Sequence, residues 1–318
     1  MRTDLKIPLG DVELDAWFYR PDEQTGPTPT IVMSFGFSGL KAMGLDRFAE
    51  VFASAGLASL VYDHRGFGAS GGSPVRDIDP LQQVADMRHV ISFARGLDGV
   101  DPERIGLWGT SYAGGHTIMV SAIDRRVRCA VAQVPFISGK ASVEGLIPSY
   151  LRPHWFEALM TEREARFRGA EPTYVPVAVD PEQQVKGEPY HLGLVDAREP
   201  GFAWLQEAGE KAGYENSVTL SSYDHFWGYE PGAYITRVSP TPLLMILGDD
   251  DQVCLTATQL EAFNRAHEPK RLKLLHSGHY DVYWRKFDEA AEAARDWFHQ
   301  HLISDVSSPA AGAAFKAA

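Results

Sequence analysis

Cysteine is scarce: only Cys129 and Cys254 occur in 318 residues. Two thiols so far apart supply neither a disulfide framework nor a zinc-finger spacing, and they read as reduced structural cysteines of a cytoplasmic protein. Long apolar runs are missing as well. Nothing approaches the roughly 18 consecutive apolar residues that a membrane-spanning helix needs. Positive charge is in deficit, with Lys+Arg 30 against Asp+Glu 42 and a formal net charge of −12. An acidic surface repels phosphate backbones and anionic lipid, so neither nucleic acid nor a membrane is expected as partner. The opening residues 1–21 lack the basic-then-apolar order of a secretory leader and read as strand. What remains is a globular composition, 44% hydrophobic and 23% charged, with enough chain to bury a large core.

Apolar runs and helical periods then take turns. Val12, Leu14, Ala16 and Phe18 alternate and predict a strand paired with residues 5–9 across Gly10-Asp11. Short buried strands are predicted at 30–34, 58–62, 104–108, 127–134, 243–247 and 271–275. Helices are predicted at 45–55, 80–94, 112–123, 257–266 and 282–301. Strands rich in Val, Ile and Leu that alternate with helices predict an α/β fold, a mostly parallel central sheet flanked by helices.

Residues 137–238 break that rhythm. They carry Pro148, Pro153, Pro172, Pro176, Pro181, Pro189, Pro200 and Pro231, with helical patterns at 142–168, around breaks at Pro148 and Pro153, and at 203–212. An ordinary connection between a helix and a strand takes about 2–6 residues, so this stretch predicts an inserted, mainly helical cap. Its aromatic content argues against a disordered linker. The expected division is therefore a core of 1–136 and 239–303, a cap of 137–238, and a flexible tail of 304–318.

Chemistry is concentrated where predicted strands end. Gly109-Thr110-Ser111-Tyr112-Ala113-Gly114 lies between a strand and a helix. A serine on such a tight turn projects its Oγ from the carboxyl edge of a sheet, with the next N–H aimed where an oxyanion would form. The second small position is alanine here, with glycine one residue later. A serine needs a base, and the base an orienting carboxylate, arriving in that order after core strands. Gly248-Asp249-Asp250-Asp251 follows one strand, and His276-Ser277-Gly278-His279 follows the next. Asp251 is the expected acid, because three residues past Gly248 the loop can turn back; Asp249 and Asp250 read as turn formers. His279, after Gly278, is the expected base, and His276 reads as structural. His276 and His279 form an H-x-x-H, but no carboxylate stands at metal-ligand spacing, so no metal is expected.

The second oxyanion donor is expected from the loop Ser34-Phe35-Gly36-Phe37-Ser38-Gly39, with the N–H of Phe37 paired with that of Tyr112. Asp63 and Arg65, in Asp63-His64-Arg65-Gly66-Phe67-Gly68, read as an ion-pair scaffold beside the site; no phosphate-loop pattern is present. His225 reads as a buried structural histidine of the cap.

Together Asp63-His64-Arg65-Gly66-Phe67-Gly68-x-Ser70, Gly109-x-Ser111-Tyr112-x-Gly114, Gly248-x-x-Asp251 and Gly278-His279 resemble the landmarks of α/β-hydrolase-fold serine hydrolases. The Ser-Tyr-x-Gly elbow is similar to that of the Xaa-Pro dipeptidyl-peptidase and cocaine-esterase group. Chain length and the Tyr280-Asp-Val-Tyr-Trp stretch are closer to dienelactone-hydrolase-like proteins, fungal polyketide transferases and thiohydrolases among them. Many such proteins carry His-Gly where this chain has Phe35-Gly36. The resemblance implies acyl transfer on Ser111, Asp251 and His279, without an organic cofactor. The expected reaction is cleavage of an ester, lactone or thioester; acyl transfer to an alcohol or amine, peptide cleavage and a non-catalytic binding role are the alternatives. Phe37, Tyr112, Trp155, Phe226, Trp227 and Tyr280, with Tyr150, Phe156 and Trp284, are expected around an apolar or aromatic acyl substrate. A homodimer is compatible with the sequence.

Overall fold

The computed structural model describes residues 1–23, 26–179, 195–199 and 201–304. The chain opens with β1 (Arg2–Leu9) and β2 (Val12–Tyr19), an antiparallel hairpin in which Leu9 faces Val12. β3 (Thr28–Ser34), α1 (Leu45–Ser54), β4 (Ala58–Tyr62), α2 (Pro80–Arg95), β5 (Val100–Thr110), α3 (Tyr112–Ile123) and β6 (Val127–Gln133) follow in alternation. Strands β3 and β4 are buried along their whole length. That is what apolar runs without alternation require of strands covered on both faces. Asp79 starts α2 by accepting from the amides of Leu81 and Gln82, with Pro80 at the first helical position.

After β6 the chain leaves the sheet. It forms α4 (Gly139–Leu146), α5 (Arg152–Phe167), the two-residue strands β7 (Tyr174–Val175), β8 (Ala178–Val179) and β9 (Val195–Asp196), α6 (Phe202–Lys211), β10 (Val218–Thr219) and α7 (Leu220–Gly228). The helical pattern at 142–168 is split at the expected prolines. α4 ends before Pro148, and α5 begins with Pro153 in its first turn, because proline ends a helix but is at home in a first turn. Pro181, Pro189, Pro200 and the expected tail beyond residue 304 lie outside the described residues. The chain returns through β11 (Leu243–Gly248), α8 (Thr256–Arg265), β12 (Lys270–Leu275) and α9 (Phe287–His299).

Eight of the strands form one sheet in the order β1-β2-β4-β3-β5-β6-β11-β12, while β7 pairs with β10 and β8 with β9. β1, β2 and β4 pair antiparallel, and every pair from β4 to β12 is parallel. β6 pairs directly with β11, Leu243 opposite Ala130, so residues 134–242 are an excursion between neighbouring strands. Helices cover both faces. A Cβ on Gly106 would meet Phe298 of α9, and one on Gly109 would meet Ala113 and Thr117 of α3. An odd spacing along a strand points to opposite faces, so α3 and α9 sandwich the sheet. β12, at the edge, keeps Lys270, Arg271 and Lys273 in its short sequence, charges that discourage pairing with another chain.

One predicted helix is shorter than its periodicity suggests. Residues 282–301 begin as a 3-10 turn, Asp281–Tyr283; α9 starts only at Phe287, and a π turn, Gln300–Ser304, closes it. Tertiary contacts decide the first departure. Tyr283 is drawn to the end of β5, where its hydroxyl bonds Thr110 Oγ1, and it stacks on Phe35 at 5.2 Å.

Candidate active site

The parallel strands all end at one edge, which places the loops after β3, β5, β11 and β12 side by side. This is where ligands bind in open α/β sheets. Ser111 sits between β5 and α3 with φ 56° and ψ −124°, a conformation that non-glycine residues rarely adopt. The turn closes because its neighbours are small. A Cβ on Gly114 would lie 2.8 Å from Pro135. Ala113 therefore occupies a position where a methyl fits, and Gly114 carries the close approach. Ser38 (φ 59°), Val134 (φ 37°) and Leu255 (φ 31°) are likewise left-handed and lie in the loops at this edge.

Ser111 Oγ is 3.1 Å from His279 Nε2, and His279 Nδ1 is 2.8 Å from Asp251 Oδ2. An ionised carboxylate only accepts, so Nδ1 carries the proton and donates it to Asp251. Nε2 is left to accept from the serine hydroxyl. Asp251 is buried yet well supplied. Its Oδ1 accepts from the amides of Val253 and Cys254 at 2.9 and 2.8 Å, and its Oδ2 from Gln259 Nε2 at 3.0 Å. Burial pushes its pKa up, but His279 and the two amides outweigh it and hold the carboxyl below the usual range. The acid and base loops are pressed together at Gly248, where a Cβ would stand 2.5 Å from the Ser277 carbonyl. Gly278 is not strained, and a Cβ there would come no nearer than 3.8 Å to its surroundings; the freedom expected of it is not used.

The neighbouring acids and histidine are placed differently. Asp249 and His276 pair with each other at 2.9 Å, with His276 almost fully exposed. Asp250 is exposed and accepts from Gln252 Nε2. The two histidines of the H-x-x-H thus engage different carboxylates. Of the three aspartates, only Asp251 reaches His279.

The loop after β3 lies against the serine. A Cβ on Gly36 would be 2.6 Å from Ser111 Cβ and 2.9 Å from the Tyr112 amide nitrogen. Among the described residues the amides of Phe37 and Tyr112 have no acceptor, as free donors for a developing oxyanion must be. This loop is held from below. Lys41 donates its backbone N–H to Asp63 Oδ1 at 2.6 Å, and its Nζ to Asp63 Oδ2 at 2.6 Å and Asp15 Oδ2 at 2.5 Å. Asp63 and Arg65 therefore do not pair with each other; Arg65 makes a two-pronged contact with Asp86 at 3.0 Å. Lys41 was not foreseen, since its partners lie far from it in sequence.

Two recesses meet at Ser111. One is bordered by Tyr112, Phe136, Leu146, Tyr223, Phe226 and Cys254. The other, somewhat larger, is bordered by His279, Tyr280, Tyr283, Tyr214, Leu205 and Met43. Phe37, Val195 and Val253 belong to both. Of the aromatics expected here, Phe37, Tyr112, Phe226 and Tyr280 are present. Trp155 and Trp227 are not. Trp155 is fully buried and meets Phe156 edge to face, and Trp227 meets the same ring in the same way. Tyr150 and Trp284 are exposed. His225 is half-buried on α7 and borders neither recess.

Sequence reasoning missed Phe136, Tyr214, Tyr223 and Cys254, whose Sγ lies 4.0 Å from Ser111 Oγ; a lone residue type without periodicity gives no signal. It also missed Glu199, whose carboxyl burial raises while His279 opposes the rise.

The sheet, its helical sandwich and the loops at its carboxyl edge define an α/β hydrolase. The chain belongs to the X-Pro dipeptidyl-peptidase (S15) family, whose model matches residues 10–281. It is 32% identical over 281 residues to the quorum-quenching protein AidA of Acinetobacter baumannii, covering 88% of each chain. It is 31% identical over 250 residues to the thiohydrolase aneE of Aspergillus aculeatus, covering 77% of this chain and 76% of the other. The crystal structure of the α/β hydrolase GrgF from Penicillium superposes with a TM-score of 0.78 at 29% identity, over 95% of this chain and 99% of that one.

Proposed function

We propose that this protein is a serine hydrolase that cleaves a carboxylic ester, lactone or thioester through an acyl-enzyme on Ser111. The observation that carries the reading is the unbroken hydrogen-bonded line from Ser111 Oγ through His279 to Asp251. His279 takes the hydroxyl proton as Oγ attacks the carbonyl, and Asp251 fixes the tautomer and supports the imidazolium. The N–H groups of Phe37 and Tyr112 receive the oxyanion, each contributing roughly 3 kcal/mol in comparable sites. His279 then passes the proton to the leaving group, and water, activated by the same imidazole, releases the acid. In this reading residues 137–238 are a cap over a small apolar acyl substrate, in a cytoplasmic protein. Its relatives' names, thiohydrolase among them, agree with the reaction class.

Acyl transfer is the second reading. It rests on the apolar surroundings of Ser111, which disfavour water as the acceptor, and on a relative named polyketide transferase. Product analysis with and without an added alcohol separates the two. A fluorophosphonate probe is expected to label Ser111, and Ser111→Ala to abolish both labelling and turnover of p-nitrophenyl esters. Near wild-type turnover by Ser111→Ala would end the proposal.

A further inference from the structure

The two recesses differ in one respect that bears on chemistry. His279 borders the larger and not the smaller. When Ser111 attacks, the Oγ–carbon bond forms and the proton moves to His279 Nε2. When the intermediate collapses, the carbon–heteroatom bond breaks and that same proton goes to the departing oxygen or sulfur. The departing atom must then lie within reach of Nε2, on the side of the scissile bond that His279 faces. The acyl chain, on the other side of the carbonyl, has only the remaining recess to enter.

The linings agree with such a division. Apart from Ser111, the smaller recess is walled by aromatic and aliphatic side chains and by Cys254. A lining of this kind offers little to a polar group. The larger recess contains a polar point. Ser38 Oγ and Tyr214 OH are 3.2 Å apart. Two hydroxyls that bond to each other use one of their two protons, and the other is left to donate. Ser38 is held there in the left-handed region at φ 59°, in the same loop as Gly36 and Phe37.

We propose that the two recesses divide the substrate at its scissile bond. The acyl chain enters the space beside Tyr112, Phe226 and Leu146. The leaving group enters the space beside His279, where the Ser38–Tyr214 hydroxyl pair donates to a hydrogen-bond acceptor on it. By microscopic reversibility, the water or alcohol that attacks the acyl-enzyme arrives through the leaving-group space and gives its proton to His279. The substrate class that follows is an apolar acyl donor whose leaving alcohol or thiol is bulky and carries an acceptor of its own. This assignment rests on the serine-hydrolase reading.

Two substrate series test it. One varies acyl length on a constant p-nitrophenol; the other varies the leaving group, with and without a ring carbonyl or ether, on a constant acetyl. Leu146 is half-buried at the rim of the smaller recess. Leu146→Trp is expected to lower kcat/KM for decanoyl relative to acetyl esters by about tenfold and leave the leaving-group order intact. Tyr214→Phe, which removes one hydroxyl and keeps the ring, is expected to raise KM several-fold only for leaving groups with an acceptor, with the acyl-length order intact. The crossed pattern, in which Leu146→Trp reorders leaving groups or Tyr214→Phe reorders acyl lengths, overturns the assignment. So does an unchanged profile in both soluble, folded variants. A wild-type enzyme with neither a p-nitrophenol burst nor fluorophosphonate labelling overturns the hydrolase reading itself, and the division falls with it.

Discussion

Gly36 and Ser111 are in contact across two loops that the sequence keeps far apart: a Cβ on Gly36 would stand 2.6 Å from the Cβ of Ser111 and 3.0 Å from its Oγ. The same Cβ would press on the Tyr112 amide nitrogen at 2.9 Å. Every atom in its way belongs to the elbow, whose φ of 56° leaves little room to yield. Gly36→Ala is therefore expected to displace the serine and the Tyr112 amide together. A misplacement of about 1 Å in such a site costs on the order of 100-fold in rate, and that is the fall expected in kcat/KM on p-nitrophenyl acetate. Activity within threefold of wild type, in a folded variant, would show that the loop is not tied to the elbow.

The cluster of three aspartates gives a sharp contrast. Asp251 alone reaches His279, so Asp251→Asn loses the acceptor that fixes the imidazole tautomer. The expected drop in kcat is about 10⁴-fold. Asp249→Asn breaks an exposed pair with His276, a contact worth little in water, and kcat is expected to stay within about threefold. The stability profiles differ too. Because the folded Asp251 carboxyl is held below its ordinary 3.8, its contribution is complete above that value and is lost as pH falls through the lower folded one. Urea unfolding between pH 6 and 3 is expected to converge for wild type and Asp251→Asn at the acid end. A gap that widens toward pH 3 would contradict the assignment.

The fold was readable because its signals are local. Val, Ile and Leu runs gave β3, β4 and β11, and apolar periodicity gave helix starts close to those observed, as at Pro80. The serine turn was readable for the same reason, since small residues at 109 and 114 are a local steric demand. The choice of Asp251 over Asp249 was an argument about loop return and needed the packing of Gly248 on Ser277 to become geometry. The aromatics show where sequence runs out. Trp155 and Phe226 carry the same hydrophobic message, yet one packs inside the excursion and the other faces Ser111. Residue type reports burial and leaves the direction of burial open. Asp63 and Arg65 do form ion pairs, but their partners were not legible for a related reason: an ion pair is chosen by tertiary proximity, and Lys41 and Asp86 are distant in sequence.

Lys41 is buried beneath the loop after β3, with its side chain 4% exposed and that of Asp63 3% exposed. Removing one partner of such a pair leaves an uncompensated buried charge and costs about 3–5 kcal/mol. Lys41→Met is expected to lose stability in that range, measured by urea unfolding at pH 7. Adding Asp63→Asn removes the stranded charge, so the double variant is expected to be at least about 1 kcal/mol more stable than Lys41→Met alone. If instead the two losses simply add, the ion pair is not what holds the loop.

His64 supplies the last test, because its burial has a sign that can be followed with pH. The ring lies under the loop after β3 with Nε2 3.1 Å from the Phe35 carbonyl oxygen, and burial lowers its pKa from 6.5 to about 4. Nε2 donates to that carbonyl in the neutral ring. In the unfolded chain the imidazole gains a proton as pH drops below 6.5, while the folded protein keeps it neutral until about 4. The unfolded state binds more protons across this window, so stability is full above 6.5 and falls as pH descends toward 4. The expected loss from this one group is about 3 kcal/mol. His64→Phe forfeits the bond to Phe35 and is expected to be less stable at pH 7. Its stability is also expected to decline less steeply than wild type between pH 6.5 and 4. Parallel curves for the two proteins would mean that His64 is protonated in the fold, and that the loop above it tolerates a buried charge.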